Sequence, residues 1–152
     1  TAGYACPLND GAAAVVIMSD TKAKELGLKP LARIVATGVS GLSPEIMGLG
    51  PIEAVKKALG YAKMSVSDID LFEINEAFAV QVLGSARELG IDEDKLNVSG
   101  GAIALGHPFG MTGARITATL LNNLATHDKT FGVETMCVGG GQGMAMIVER
   151  LS

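Results

Sequence analysis

Apolar and polar positions change along the chain in blocks that predict strands and helices in turn. Five apolar blocks, most of them rich in β-branched residues, are predicted as strands: residues 12–18, 31–39, 70–74, 130–138 and 144–149. The first block is apolar throughout, which is typical of a strand buried on both faces. A glycine-rich turn separates the last two blocks and predicts an antiparallel hairpin.

Apolar residues spaced three or four positions apart predict helices between these strands. The first helix follows Ser19 or Asp20, either of which is a good N-cap, and it ends at Gly27. Three longer helices are predicted at residues 51–62, 76–89 and 113–123, with apolar stripes at these positions: Ile52, Val55, Leu59; Phe78, Val82, Ala86, Leu89; Ile116, Leu120, Leu124. The order β-α-β-α-β-α-β-β predicts an α/β fold.

Length and composition agree with one globular domain. The chain has 152 residues, of which 48% are hydrophobic, enough for a sizeable core. The longest apolar run is too short to cross a bilayer, and no basic segment followed by an apolar stretch indicates a signal peptide. The chain opens at Thr1 inside a motif rather than at Met, which indicates a fragment or a processed product.

Charge and cysteine content exclude several function classes. The net charge is −4 without a basic run, so we expect no nucleic-acid binding, which requires neutralised phosphates. The two cysteines, Cys6 and Cys137, form no CxxC pair, and we expect no metal site. The sequence leaves open whether the two form a disulfide, although the lack of a secretory signal favours free thiols.

A glycine-rich segment around His107 is the strongest candidate for chemistry. Residues 100–115 contain five glycines, and Pro108 follows the histidine. Because proline is favoured at the first helical position, we expect His107 to lie at a helix N-terminus. The helix dipole disfavours an imidazolium there, and a neutral imidazole is what a general base requires. The alternative is an ordinary cap or turn residue.

Asn75 and Cys137 each have a structural and a chemical interpretation. Asn75 follows a predicted strand and precedes a predicted helix, so it could be an N-cap. Cys137 lies where a strand meets Gly139, and a buried cysteine often acts as a small hydrophobic residue. Side chains at strand ends beside glycine loops also meet substrates, and nearby donors could lower the pKa of such a thiol.

Three motifs in this order resemble the thiolases, the family of acetyl-CoA acetyltransferases and 3-ketoacyl-CoA thiolases. They are Asn75-Glu-Ala-Phe-Ala79, Gly100-Gly-Ala-Ile-Ala-Leu-Gly-His-Pro108 and Cys137-Val-Gly-Gly-Gly-Gln-Gly143. The resemblance runs over residues 1–152 and covers only the C-terminal half of a thiolase. It implies a thiolase-like C-terminal domain, with a mixed five-stranded sheet and helices on both faces.

The resemblance also implies catalytic roles. His107 takes the proton of a nucleophilic cysteine, whose Cys-x-Ser-Gly motif lies outside this chain, and then donates to the substrate oxygen. Asn75 holds a water that assists it, Cys137 moves the second proton, and the backbone N–H of Gly139 contributes to an oxyanion hole. Cys6 is not the nucleophile.

Coenzyme A is the co-substrate that the resemblance implies, with no permanently bound cofactor. Cys6 stands where the family has a serine that contacts pantetheine, and Tyr4 replaces a neighbouring asparagine. Met47, Ala77 and Phe78 line the acyl and pantetheine tunnel in the family; without the resemblance, Phe78 is simply a core residue. The acyl chain length cannot be inferred.

The function that follows is reversible Claisen condensation and thiolytic cleavage of a 3-ketoacyl-CoA, as in fatty acid β-oxidation. We expect an N-terminal domain as partner, a homodimer or homotetramer, a cytoplasmic location, no membrane association, and no activity of the chain by itself. One alternative is a non-catalytic acyl-CoA- or lipid-binding module.

The runner-up is a decarboxylating or ketosynthase-like condensing enzyme, whose site pairs a cysteine with His-His or His-Asn. Nothing here resembles the second histidine of such a site, since His127 has the surroundings of a solvated surface residue. A nucleotide-binding loop at residues 139–143 would need a Gly-Lys-Ser/Thr ending, which is missing.

Overall fold

A computed structural model describes Thr1 and residues 3–152. The helices are α1 (Asp20–Glu25), α2 (Gly50–Ala62), α3 (Ala79–Leu89), α4 (Ala102–Leu105) and α5 (Phe109–Thr126). The strands are β1 (Ala32–Gly41), β2 (Leu71–Ile74), β3 (Phe131–Val138) and β4 (Gln142–Arg150). Short 3₁₀ helices cover Pro44–Leu49, Val66–Asp68 and Glu93–Lys95.

The four strands form one mixed sheet in the order β1-β4-β3-β2. β2 and β3 are parallel, with Ile74 opposite Thr135, whereas β4 is antiparallel to both of its neighbours. The hairpin of β3 and β4 confirms the predicted turn, in which Gly140 and Gly141 have φ values of 86° and 84°. The α/β class and the mixed sheet are therefore as predicted.

Helices cover both faces of the sheet. α2 and α3 bury an apolar core against one face, which includes Val55, Val133 and Ile147. α5 packs on the other face, where Leu120 and Leu124 meet Leu71 and Val148. Neighbouring residues of one strand point to opposite faces, and Ile147 and Val148 accordingly belong to different cores.

The prediction of five strands is wrong: the sheet has four, because residues 12–18 form no strand. This run belongs to no strand or helix, and Val16 and Ile17 are 85% and 72% exposed. A strand buried on both faces needs neighbours to satisfy its backbone hydrogen bonds, and no strand in the described part of the chain lies beside it. Composition indicated a buried strand, but it carries no information on where the partner strands are.

Two helix starts also differ from the prediction. α3 begins at Ala79 rather than at residue 76, so Phe78 takes the N-cap position and is 47% exposed instead of lying in the core. α5 begins at Phe109, four residues earlier than predicted, and Pro108 takes the N-cap rather than the first helical position. Ser19 caps α1 as predicted, accepting the backbone N–H of Lys22.

Backbone contact fixes α2 on the sheet. A Cβ at Gly143 in β4 would overlap the backbone of Gly50 at the start of α2, and a Cβ at Gly38 in β1 would overlap the carbonyl of Ala54. Only glycine permits this separation between helix and strands. The 3₁₀ turn at Pro44–Leu49 is thereby held beside the glycine turn that follows β3.

Candidate active site

The asparagine and cysteine motifs meet at one edge of the sheet. Asn75 directly follows β2, and its backbone N–H donates to the carbonyl of Thr135 in β3 at 2.9 Å. Cys137 lies two residues farther along β3. Because β2 and β3 are parallel, their carboxyl ends open at the same edge, where substrates commonly bind in open α/β sheets.

Hydrogen bonds to the Glu76 carboxylate hold the histidine motif at the same edge. One carboxylate oxygen of Glu76 accepts the backbone N–H of Ile103 at 3.0 Å, and the other accepts the side-chain amide of Asn97 at 3.0 Å. A Cβ at Gly101 would collide with this carboxylate. The loop that carries His107 therefore sits directly against the residue next to Asn75.

His107 is held in a defined tautomer by Thr112. The distance from Nδ1 of His107 to Oγ1 of Thr112 is 2.6 Å, and the same hydroxyl donates to the carbonyl of Pro108 at 3.0 Å. A hydroxyl has one hydrogen, so it accepts from Nδ1–H, and the lone pair of the neutral ring is on Nε2. No side-chain hydrogen bond caps α5, so His107 is not its cap.

The pKa of His107 lies below its ordinary value. Burial is the larger cause, because it disfavours the charged ring, and the positive charge of Arg115 is the second. The sequence predicted a neutral ring from the helix dipole; the structure gives the same protonation state with two different causes. An imidazole that is neutral at pH 7, with a free lone pair, is suited to accept a proton.

Asn75 is buried without a partner for its side chain. It is 1% exposed, and neither its Oδ1 nor its Nδ2 finds a hydrogen bond among the described residues. The N-cap interpretation is wrong, because α3 starts four residues later with Phe78 at its cap. Leaving a buried amide unpaired costs about 1–3 kcal/mol. Such a group is suited to hold a polar ligand or a water.

Cys137 is a buried, free thiol. It is 6% exposed, and burial raises its pKa, with the nearby Cys6 adding to the shift. The prediction that donors could lower this pKa is wrong, since burial dominates. A thiol that keeps its proton at neutral pH fits a group that donates a proton rather than a resting nucleophile.

The expected coenzyme A residues form a second group at this edge. The backbone N–H of Cys6 donates to the carbonyl of Ala77 at 3.2 Å, and that of Ala79 donates to the carbonyl of Tyr4 at 2.9 Å. The N-terminal segment thus runs antiparallel to the asparagine motif, beside the exposed ring of Phe78. The structure brings Cys6 and Ala77 together.

Met47 and Gly139 complete the expected site residues. Met47 lies in the turn Pro44–Leu49, half-buried, and this turn packs on α3 through Ser85. Gly139 is exposed at the start of the glycine turn, with open space where a Cβ would be. The backbone N–H of Leu42 donates to Gly141 at 2.8 Å, which joins the glycine turn to the segment leading to Met47.

Sequence reasoning missed several polar residues beneath the site. Thr112 and Arg115 lie on α5, while Glu73 and Glu134 lie on β2 and β3, where they are 2% and 7% exposed. The available signal was a glutamate inside each of two mainly apolar strands. In the described part of the chain, no three His, Cys, Asp or Glu side chains are grouped to hold a metal ion. None of the described helices is long and apolar enough to span a membrane.

Comparison with known proteins identifies the origin of this arrangement. Residues 28–150 match the family described as "Thiolase, C-terminal domain". The chain belongs to the thiolase family. Over 152 residues it is 55% identical to the acetyl-CoA acetyltransferase of Escherichia coli (strain K12), matching 100% of this chain and 39% of that relative.

Two solved thiolase structures show the same fold. The acetyl-CoA acetyltransferase of Bacillus anthracis superposes with a TM-score of 0.96 at 52% identity, over 99% of this chain and 38% of that one. The human mitochondrial 3-ketoacyl-CoA thiolase in complex with CoA gives 0.85 at 48% identity, over 88% of this chain and 34% of that one. The chain thus spans about two fifths of the length of the thiolases that it matches.

Proposed function

We propose that the protein containing this domain is an acetyl-CoA C-acyltransferase, which reversibly forms and cleaves the carbon–carbon bond of a 3-ketoacyl-CoA. The observation that carries the proposal is the state of His107, a neutral ring whose Nδ1–H is bound by Thr112 and whose Nε2 lone pair is available. The partly similar human thiolase solved with CoA supports the choice of thioester substrates.

The first half of the reaction uses His107 twice. In the condensation direction, Nε2 takes the proton of a cysteine thiol from a part of the protein outside these 152 residues, the thiolate attacks the carbonyl of an acyl-CoA, and the C–S bond breaks so that CoA leaves as a thiolate. Once protonated, Nε2–H becomes a donor toward the thioester oxygen as negative charge develops there. Because Nδ1–H is bound by Thr112, the ring does not need to rotate between the two roles.

The second half uses Cys137, Asn75 and Gly139. Cys137 holds its proton at neutral pH, and we assign it the donation of that proton to the departing CoA sulfur, after which its thiolate takes a proton from the α-carbon of the second acyl-CoA; cleavage reverses both transfers. The unpaired amide of Asn75 holds a water that stabilises the enolate oxygen together with His107. The backbone N–H of Gly139 serves a second oxyanion hole.

Coenzyme A is the proposed co-substrate, and no permanently bound cofactor takes part. Cys6, Met47, Ala77 and Phe78 are proposed to contact its pantetheine arm or the acyl chain. Supporting this, Cys6 and Ala77 are hydrogen-bonded neighbours, and the ring of Phe78 is 47% exposed at the same edge. A half-exposed aromatic ring offers an apolar wall to an acyl or pantetheine chain.

The rest of the protein is proposed to supply an N-terminal domain that carries the nucleophile. Its docking would cover residues 12–18, whose apolar side chains are otherwise exposed. The 152-residue chain is then the C-terminal domain. A homodimer or homotetramer in the cytoplasm, acting in fatty acid β-oxidation, completes the proposal.

The test replaces His107 in the full-length protein. His107→Ala should lower kcat/KM for acetoacetyl-CoA cleavage by about 10²–10⁴-fold through loss of the base, with further loss from the missing donor. His107→Asn retains a donor but no base, so its activity should recover partly as pH rises and the nucleophile ionises without help. His127→Asn, at the exposed end of α5, is the matched control and should keep full activity. Near-wild-type turnover of His107→Asn at neutral pH would contradict the catalytic role.

A further inference from the structure

Three charged side chains are buried between α5 and the sheet. Glu73 on β2 and Glu134 on β3 are directly opposite each other in the parallel register, and Arg115 of α5 lies above them. Nη1 of Arg115 is 4.0 Å from the Glu73 carboxylate, and its side chain is 11% exposed. None of its three nitrogens, nor Oε2 of Glu134, makes a hydrogen bond within the described residues.

The cluster has one carboxylate more than it has cations. The groups that hydrogen-bond to it are neutral: Asn123 of α5 donates to Glu73 at 3.1 Å, Ser99 donates to Asn123 at 2.7 Å, and the hydroxyl of Thr117 lies beside Glu134. Two carboxylates on adjacent strands repel, and burial disfavours ionisation of both. Burial accordingly raises the pKa of Glu73 and of Glu134 to about 7, against the attraction of Arg115.

The same arginine acts on the candidate base. Arg115 lies one turn beyond Thr112 on α5, and Thr112 holds the ring of His107. The positive charge of Arg115 is one of the two causes that keep His107 neutral. Glu76, at the end of β2, is the other titratable group near this cluster and raises the pKa of Glu73. The charge state of the carboxyl pair therefore bears on the imidazole through Arg115.

We propose that Glu73, Glu134 and Arg115 form a charge-neutral triad in which the two carboxyl groups hold one proton between them, and that Arg115 of this triad is a positioning residue that, together with burial, favours the neutral form of His107. The relevance to catalysis rests on the proposed function. The triad itself does not, because its proton and the state of the imidazole are measurable without turnover.

The proton count gives the first test. A carboxyl group whose pKa is raised on folding stabilises the fold at low pH, and this stabilisation is lost as pH rises through the folded-state value. Between about 4.5 and about 7, the wild-type triad should release one proton on unfolding. If the proton is shared, Glu73 in Glu134→Gln of the full-length protein should ionise against Arg115 despite its burial, the main cause of its raised pKa, and the variant should then release no proton on unfolding.

The measurement is the pH dependence of the difference in unfolding free energy between wild type and Glu134→Gln, which cancels all groups common to both. The difference should change with a slope of one proton across this window. Glu88→Gln, exposed on α3, is the matched control and should give no slope. An equal slope in wild type and Glu134→Gln would overturn the shared proton.

The imidazole gives the second test, by NMR of histidine-labelled full-length protein, with the His107 signal assigned from its loss in His107→Asn. Arg115→Met should move the titration midpoint of His107 upward. Glu73→Gln with Glu134→Gln should move it downward, because the arginine charge is then uncompensated. Glu134→Gln alone should leave the titration midpoint of His107 unchanged, since the net charge of the triad stays zero.

Each outcome decides a separate point. If Arg115→Met does not fold, the double glutamine variant still carries the test, and the triple variant that neutralises all three groups should restore folding. An unmoved His107 midpoint in every folded variant would overturn the role of Arg115. Loss of activity in His107→Asn alongside an unmoved midpoint would leave the proposed function standing and remove only the triad.

Discussion

The two faces of the sheet are covered by side chains of different polarity. On the α2 face, the core consists of apolar side chains such as Val55, Val133 and Ile147, and glycines bring the helix backbone close to the strands. On the α5 face, a small apolar cluster around Leu120 shares the space with Glu73 and Glu134. Both faces contain fully buried side chains, but among the described residues only the α5 face buries charged ones.

Because of this difference, the two faces contribute differently to the stability of the fold and to the chemistry of the site. Buried apolar contacts stabilise a fold irrespective of pH, whereas buried carboxyl groups make it depend on protonation. α5 carries Thr112 and Arg115 toward His107, so the polar face is the one that supports the candidate base. The α2 face contributes no charged side chain to the site; by strand alternation its one titratable group there is the thiol of Cys137, on the same face of β3 as Val133.

The largest expected effect concerns the chain as a whole. We expect the isolated 152-residue chain to show no turnover, because the polar face and the sheet edge supply acid, base and donors but no Cys-x-Ser-Gly nucleophile. Acetoacetyl-CoA cleavage measured with the chain alone, and with the remaining part of the protein added, checks this. Turnover by the chain alone would place the nucleophile within it.

Cys137→Ser in the full-length protein should lower steady-state turnover by about 10²–10⁴-fold while acylation of the nucleophile persists. The reason is that Cys137 acts on the second proton and His107 on the first. With acetyl-CoA in the condensation direction, a rapid burst of CoA release followed by a stalled phase is the expected stopped-flow trace. A missing burst would show that Cys137 is needed before acylation.

The two faces can be compared directly by core truncation. Ile147→Ala on the α2 face and Leu120→Ala on the α5 face should each lower the free energy of unfolding by about 2–5 kcal/mol, since both side chains are fully buried. Only Leu120→Ala should also change kcat of the folded enzyme, because it loosens the helix that holds His107. Denaturant titration and kinetics below the unfolding transition measure the two effects. Equal losses of kcat would remove the distinction between the faces.

Thr112→Val should affect the site more than the fold. It removes the acceptor of Nδ1–H, and the loss of such a bond is worth about 1–3 kcal/mol. We expect that amount to appear in the barrier for acylation, as a lower kcat/KM with a changed pH profile. Thr126→Val at the exposed end of the same helix is the control. A wild-type pH profile in Thr112→Val would show that another group orients the ring.

The smallest effect is expected in the unpaired segment. Val16→Ser in the isolated chain should change the free energy of unfolding by no more than about 0.5 kcal/mol, as is usual at exposed positions. In the full-length protein, where we propose that this segment is covered, the loss should approach about 1.5–3 kcal/mol. Identical small values in both would mean that residues 12–18 stay exposed.

The sequence predicted those elements whose partners lie within the chain. The hairpin of β3 and β4, the helix stripes of α2 and α5 and the mixed α/β order all follow from local periodicity and turn residues. Residues 12–18 have the same apolar signal as β3, but a strand depends on neighbours that no local pattern encodes. The start of α3 was misplaced because Glu76, a good helix former, is instead used to hold the loop at Ile103.

The candidate site was predictable at the level of motifs and not at the level of electrostatics. His107, Asn75 and Cys137 stand out by their position beside strand ends and glycines. Thr112 and Arg115 do not, because their roles depend on which face of α5 meets the sheet. The raised pKa of Cys137 likewise depends on burial, which a sequence of small residues does not reveal.

The position of β4 has a consequence for synthesis on the ribosome. β4 is the last strand in chain order, yet it lies inside the sheet, between β1 and β3. β1 therefore stays unpaired until a strand more than a hundred residues later has been made. Its Ala32 pairs with Arg150, near the C-terminal end of the chain. Pairing over such a separation is slow, and an unpaired strand edge is prone to aggregate. The domain thus completes its sheet only once β4 has left the ribosome, and earlier intermediates would expose β1 to chaperones.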